Sequence, residues 1–129
     1  MSGRVVHFEI PFDDADRAER FYREAFGWQV QRMPEMGYTM VTTGPSDQTG
    51  APSETGYIGG GMLARSPEQS APVLVVDVDD IEAVLATVEE LGGATVVPRQ
   101  PVADMGHTAY FTDPEGSLTG LWETARPAG

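Results

Sequence analysis

His7 and Glu9 stand two residues apart in VVHFEI, where Val6, Phe8 and Ile10 alternate with Val5, His7 and Glu9. That alternation has the period of a half-buried strand, so the imidazole and the carboxylate share one face. Two chemistries suit such a pair. An acid neighbour can hold and tune an imidazole near neutral pH for proton transfer. Alternatively the two groups supply two donors to a divalent ion, which needs three or four within about 2.0 to 2.3 Å. Other donors are scarce, since the chain has one further histidine, His107, and no cysteine. His107 shares parity with Ala109 and Phe111, but the sequence leaves open which face that is. A serine nucleophile is not assignable: Ser46, Ser53, Ser66, Ser70 and Ser117 fall in loops or turns with no base beside them.

The strand that carries His7 opens a unit that occurs twice. VVHFEIPFDDADRAERFYREAFGWQV and VLVVDVDDIEAVLATVEELGGATV both run strand, Asp, amphipathic helix, Gly, strand. Asp14 to Gly27 and Asp79 to Gly92 are each thirteen positions, which marks a duplicated module. In the first copy the helix places Ala18, Phe21, Tyr22, Ala25 and Phe26 on one stripe, with Asp13, Asp14 and Asp16 at its positive end and Gly27 as its stop. Strands over Trp28–Met33 and Tyr38–Thr43 follow, joined by a turn at Pro34–Gly37. Gly44–Gly56 reads as a surface loop, and Tyr57–Leu63 as a fourth strand broken by Gly59-Gly60-Gly61. The linker is RSPEQSA, 65–71.

In the second copy Val73–Val78 is a strand. The next helix, opened by Asp79 with Glu82 three residues on, carries Ile81, Val84, Leu85, Val88 and Leu91 on one stripe and stops at Gly92-Gly93. Thr95–Val102, His107–Thr112 and Leu118–Thr124 complete the set, the last two joined by the turn Asp113-Pro114-Glu115-Gly116. The order is βαβββ, linker, βαβββ, with half-modules at about 4–64 and 72–124 in one domain spanning 1–129.

A chain of 129 residues has the usual size of one domain, so each half must bury its apolar face against something else. Twenty acids against eight Lys plus Arg give a formal net charge of −12, which argues against nucleic acid or an anionic membrane as partner. The cysteine-free composition and the start MSGRVVHFEI, which lacks a long apolar run, predict a cytoplasmic protein with no signal peptide or membrane span.

With HFEIPFDD followed by RAERFYREAFGW, then VDVDDIEAVLATVEELGG and FTDPEGSLTGLWE, the chain resembles the vicinal oxygen chelate superfamily, that of glyoxalases and bleomycin resistance proteins. The resemblance covers nearly the whole chain. It implies an α+β fold in which two tandem βαβββ modules form a curved, partly open barrel around a cavity, commonly in a homodimer. It does not imply a reaction, because the fold hosts lyases, epimerases, dioxygenases, thiol transferases and drug-binding proteins. The resemblance also implies where metal-dependent relatives place ligands. On the first strand the position is His7, on the fifth Val73, on the eighth Gly120, and on the fourth it lies within Ile58–Gly61. One donor of four remains. Glu123 lies three positions beyond the eighth-strand site and faces away from Leu118, Gly120 and Trp122. Glu9 is the better second donor, but two donors make a poor site for zinc, nickel or iron, so no divalent metal or other cofactor is expected.

Space takes the place of the missing ligands in this reading. Gly60, Val73, Val75, Gly120 and Trp122 are expected to form the walls of a ligand cavity, with His7, Glu9 and Asp77 as polar trim. The expected function is metal-free binding of a small metabolite or drug by a homodimer. The alternative is a lyase, isomerase or dioxygenase-like enzyme using His7 and Glu9, with or without a metal. A third reading is an interaction module whose cavity its own side chains fill.

Overall fold

The computed structural model describes residues 3–48 and 51–125. The elements are β1 (Val5–Phe12), α1 (Ala15–Phe26), β2 (Gln29–Met33), β3 (Tyr38–Thr42), β4 (Gly59–Ala64), β5 (Val73–Asp77), α2 (Ile81–Glu90), β6 (Ala94–Val102), β7 (Gly106–Thr112) and β8 (Leu118–Thr124). They fall into two compact units. Of the described residues, those within 6–72 make the first, and 73–125 together with 3–5 make the second. Among the described residues no helix is long and apolar enough to cross a membrane.

Both units have the same topology. In the first the strand order is β2-β3-β4-β1, with β1 parallel to β4 and the other neighbours antiparallel. In the second it is β6-β7-β8-β5, with β5 parallel to β8. A parallel first and last strand requires a crossover, and each helix begins one. This is the α+β arrangement of two βαβββ modules expected from the repeat.

The helix ends follow local chemistry. Asp14 has an extended backbone and its carboxylate accepts the Arg17 N–H at 3.1 Å, while Gly27 closes α1 in the left-handed region at φ 74°. The second helix departs from the expected alignment. Its cap is Asp80, not Asp79, with the Asp80 carboxylate accepting from Ala83 N–H at 3.1 Å, and Leu91 rather than Gly92 is the closing position. Gly92 follows at φ 98°, and the Gly93 N–H returns to Val88 O, a left-handed exit one residue later.

The two helices dock differently. Ile81 and Leu85 of α2 are buried with Val78, Ala109 and Leu121 in an apolar core, as its stripe predicts, although Leu91 at the end of that stripe is exposed. The stripe expected on α1 is overturned. Phe21 and Phe26 are 58% and 62% exposed, and the buried position is Glu19. Its carboxylate accepts from the Thr39 hydroxyl at 3.0 Å and from Arg32 Nε at 3.1 Å, and Arg32 also reaches Asp16. Tyr22 stacks on Trp28 at 4.8 Å, and Trp28 lies against Phe8, so the inward side of α1 is one aromatic and one carboxylate. In the 44–56 loop, Ser46 bridges to Pro52 and the Tyr57 hydroxyl donates to Pro45 O; Thr49 and Gly50 lie outside the described residues.

Candidate functional site

The contacts of α1 identify the two faces of the first sheet. Phe8, Thr39, Gly60 and Val41 belong to the helix side, because Phe8 pairs with Gly60, Gly60 with Val41, and Thr39 bonds Glu19. By alternation His7 and Glu9 point to the other side, together with Gly59, Gly61, Tyr38 and Met40. Glu9 is only 7% exposed. A carboxylate so buried needs hydrogen-bond donors.

Tyr38 and Gln69 supply them. The Tyr38 hydroxyl donates to Glu9 Oε2 at 3.0 Å and lies 2.7 Å from His7 Nε2, and the Gln69 side-chain amide donates to Glu9 Oε1 at 2.8 Å. Gln69 is itself 7% exposed and is fixed within the linker by reciprocal backbone bonds with Ser66, whose hydroxyl also accepts the Gln69 N–H. Burial pushes the His7 pKa below its ordinary value, against a smaller opposing pull from Glu9. The imidazole is therefore neutral at neutral pH.

Gly61 is what lets this array form. Tyr38 is on β3, two strands from β1, and its ring must cross β4 to reach His7 and Glu9. A Cβ on Gly61 would collide with the Tyr38 hydroxyl and ring. The glycine run was expected to open an apolar cavity floor, with Gly60 as a wall. Gly60 instead faces the helix side, where a Cβ would meet the Phe8 ring at 2.6 Å, and the space at Gly61 is filled by tyrosine. Both vacated volumes are occupied by the protein's own aromatic rings, one of them polar at its tip.

In the second unit the register pairs Val75 with Gly120 and Asp77 with Trp122, so Val73, Val75, Asp77, Gly120 and Trp122 share the face away from α2. Val73 and Val75 are buried. Space at Gly120 is narrow, since a Cβ would meet Val75 at 3.1 Å and Tyr110 at 3.2 Å. The Trp122 indole N–H donates to Thr124 Oγ1 at 3.1 Å and its ring packs over Gly106. Glu123 faces α2, as strand alternation predicts. Its carboxylate accepts the Ile81 N–H at 2.9 Å and the Arg99 guanidinium at 2.8 Å, and these two bonds hold its pKa below the ordinary carboxylate value. His107 pairs with Glu123 across β7 and β8, which settles its face as the helix side, with Nδ1 3.2 Å from Arg99.

Two βαβββ modules with a polar array on the opening strand of the first define the class of paired-module α+β proteins. The relatives that this chain matches indicate the vicinal oxygen chelate superfamily. Residues 4–44 match the family model of the bleomycin resistance protein-like N-terminal region. The chain is 32% identical over 128 residues to "Putative glyoxylase CFP32" of Mycobacterium tuberculosis, covering 94% of this chain but only 46% of that protein, so it spans about half the length of that relative. It is 29% identical to "Probable lactoylglutathione lyase" of Vibrio parahaemolyticus, covering 93% of this chain and 90% of the other. Streptomyces coelicolor methylmalonyl-CoA epimerase, solved with 2-nitronate-propionyl-CoA, shares the fold at TM-score 0.65 and 18% identity over 98% of this chain and all of its own.

Metal-dependent members of such a family require a ligand set, and the residues here do not fit one. His7 Nε2 and both oxygens of Glu9 are engaged by Tyr38 and Gln69. Among the described residues no three His, Cys, Asp or Glu side chains converge as a metal ion would need.

Proposed function

We propose that the chain is a small-molecule-binding member of the superfamily that engages its ligand without a metal, on the face of the first module that carries His7, Tyr38 and Glu9. The observation that carries this reading is the commitment of His7 Nε2 and both Glu9 carboxylate oxygens to side-chain hydrogen bonds. Such an array is rigid and polar, and it offers a ligand fixed hydrogen-bonding groups in place of an ion. A cytoplasmic setting and a homodimer belong to the same reading, the latter checked by light scattering on the purified chain.

The test joins a metal assay to a binding screen. Dialysed protein is expected to hold far less than one equivalent of zinc, nickel, cobalt or iron. A compound library is expected to yield a ligand that raises Tm by several degrees, with the shift lost in Tyr38→Phe. Stoichiometric metal with loss of binding on chelation would overturn the proposal.

An enzymatic reading is favoured by one observation: a neutral imidazole linked through a phenol to a carboxylate is equipped for proton transfer. Relatives named as glyoxylase and lyase agree with it in class. Product formation from a defined substrate by wild type but not by His7→Ala decides between the two.

A further inference from the structure

We propose that Glu9 and Tyr38 are positioning residues that hold the His7 ring proton on Nε2, so that Nδ1 is presented as a bare acceptor for a ligand's N–H or O–H group. The inference rests on the binding reading above for its ligand but not for its tautomer.

The argument is a count of protons along the array. An ionised carboxylate only accepts, and both oxygens of Glu9 do so, Oε1 from the Gln69 amide and Oε2 from the Tyr38 hydroxyl. A phenol has one proton, which this geometry spends on Glu9. The Tyr38 oxygen can then take part in its 2.7 Å contact with His7 Nε2 only as acceptor. Nε2 must therefore carry hydrogen. A neutral imidazole has one N–H, so Nδ1 keeps its lone pair. The fall in the His7 pKa on burial is consistent with that neutral state.

Nδ1 is also placed to be used. Among the described residues it has no hydrogen-bond partner, and no unpartnered side-chain nitrogen or oxygen is sealed from solvent. The face around His7 thus carries an acceptor whose direction is set by the protein. A ligand with a hydroxyl or amide N–H can satisfy it. A ligand whose only polar atoms are carbonyl or ether oxygens cannot, since it would set two lone pairs against each other.

Histidine-selective 15N labelling tests this, because the chain has two histidines and His107→Gln assigns the signals. At mildly alkaline pH, long-range proton–nitrogen correlation of the free protein is expected to show a protonated Nε2 and an unprotonated Nδ1 for His7. In Tyr38→Phe the two nitrogens are expected to move toward each other as the tautomers mix; Glu9→Ala serves where that variant does not fold. A proton on Nδ1 in the wild type overturns the proposal, and so does a Nε2–H preference unchanged in the variants. The ligand class is tested with phenol against its methyl ether, anisole. Phenol is expected to shift His7 Nδ1 and to bind about tenfold more tightly, the worth of one net hydrogen bond. Equal or absent effects of the two probes overturn the ligand class, while the tautomer result, read without ligand, stands apart from that failure.

Discussion

Replacing Gly61 by alanine adds one methyl group at the point where the Tyr38 ring crosses β4, and the cost is calculable in parts. The methyl and the phenol cannot coexist, so Tyr38 must swing away. Overpacking of this kind costs about 1 to 3 kcal/mol. Displacing the hydroxyl also breaks its hydrogen bond to the buried Glu9 carboxylate, about 1.5 to 3 kcal/mol for a charged acceptor. Against this, alanine in a strand gains roughly 0.5 to 1 kcal/mol over glycine through the unfolded chain, and the backbone of Gly61 is not in the left-handed region. The net loss is about 1.5 to 5.5 kcal/mol. In a Tyr38→Ala background the obstruction is gone, and the same Gly61→Ala change should be neutral or stabilising by up to roughly 1 kcal/mol. A double-mutant cycle by urea denaturation reads the reversal of sign as a coupling of about 2.5 kcal/mol or more. Equal destabilisation by Gly61→Ala in both backgrounds would refute the assignment of that glycine to tyrosine passage.

Further perturbations separate the two modules and their titrating groups. Thr39→Val removes the hydroxyl that donates to buried Glu19 and should destabilise by about 1.5 to 3 kcal/mol, seen as a lower denaturation midpoint with an unchanged slope. Glu123, whose pKa is depressed by Arg99 and the Ile81 N–H, contributes stability that is present above the ordinary carboxylate range and lost as pH falls through its folded value; Glu123→Gln should flatten the acid limb of a Tm-versus-pH curve. His7 has a folded pKa below its ordinary 6.5, so its unfolded form takes up the proton first and stability falls as pH drops from 6.5 toward the folded value. His7→Asn should remove that slope, and an undiminished slope would reassign it to another group.

Local pattern was enough for most of the fold. Asp14 and Gly27 bound α1 as read, each of the eight expected strands overlaps an observed one, though β4 starts at Gly59 rather than Tyr57 and β1 runs on to Phe12, and the parity of β8 set Glu123 on the face opposite Gly120 and Trp122. These are features of neighbours in sequence. The array was half legible: His7 and Glu9 follow from a period of two, whereas Tyr38 and Gln69 are 31 residues from His7 and 60 from Glu9. Tyr38 could have been found only from the register of β1, β4 and β3, which no local period encodes. Gln69 looked like solvated linker because a polar residue among Ser, Pro and Glu has no apolar stripe to betray its burial. Gly60 went to the wrong face for the same reason, since three glycines in a row have no alternation to read. On α1 the aromatic stripe overrode Glu19, whose burial depends on Arg32 and Thr39 from two other strands.

That exchange of apolar for ionic docking makes the duplicated halves unlike materials. The second helix is held chiefly by Ile81 and Leu85 in an apolar core, an attachment that charge screening weakens little and that is strengthened by warming from the cold. The first is held by a stacked tyrosine and by a carboxylate between a hydroxyl and a guanidinium whose side chain is 46% exposed, an attachment that ions and acid can loosen. Solvent composition is therefore a dial that reaches one copy of the repeat before the other. Raising salt at fixed temperature should speed amide exchange in α1 more than in α2, so that the chain opens from the module that carries His7.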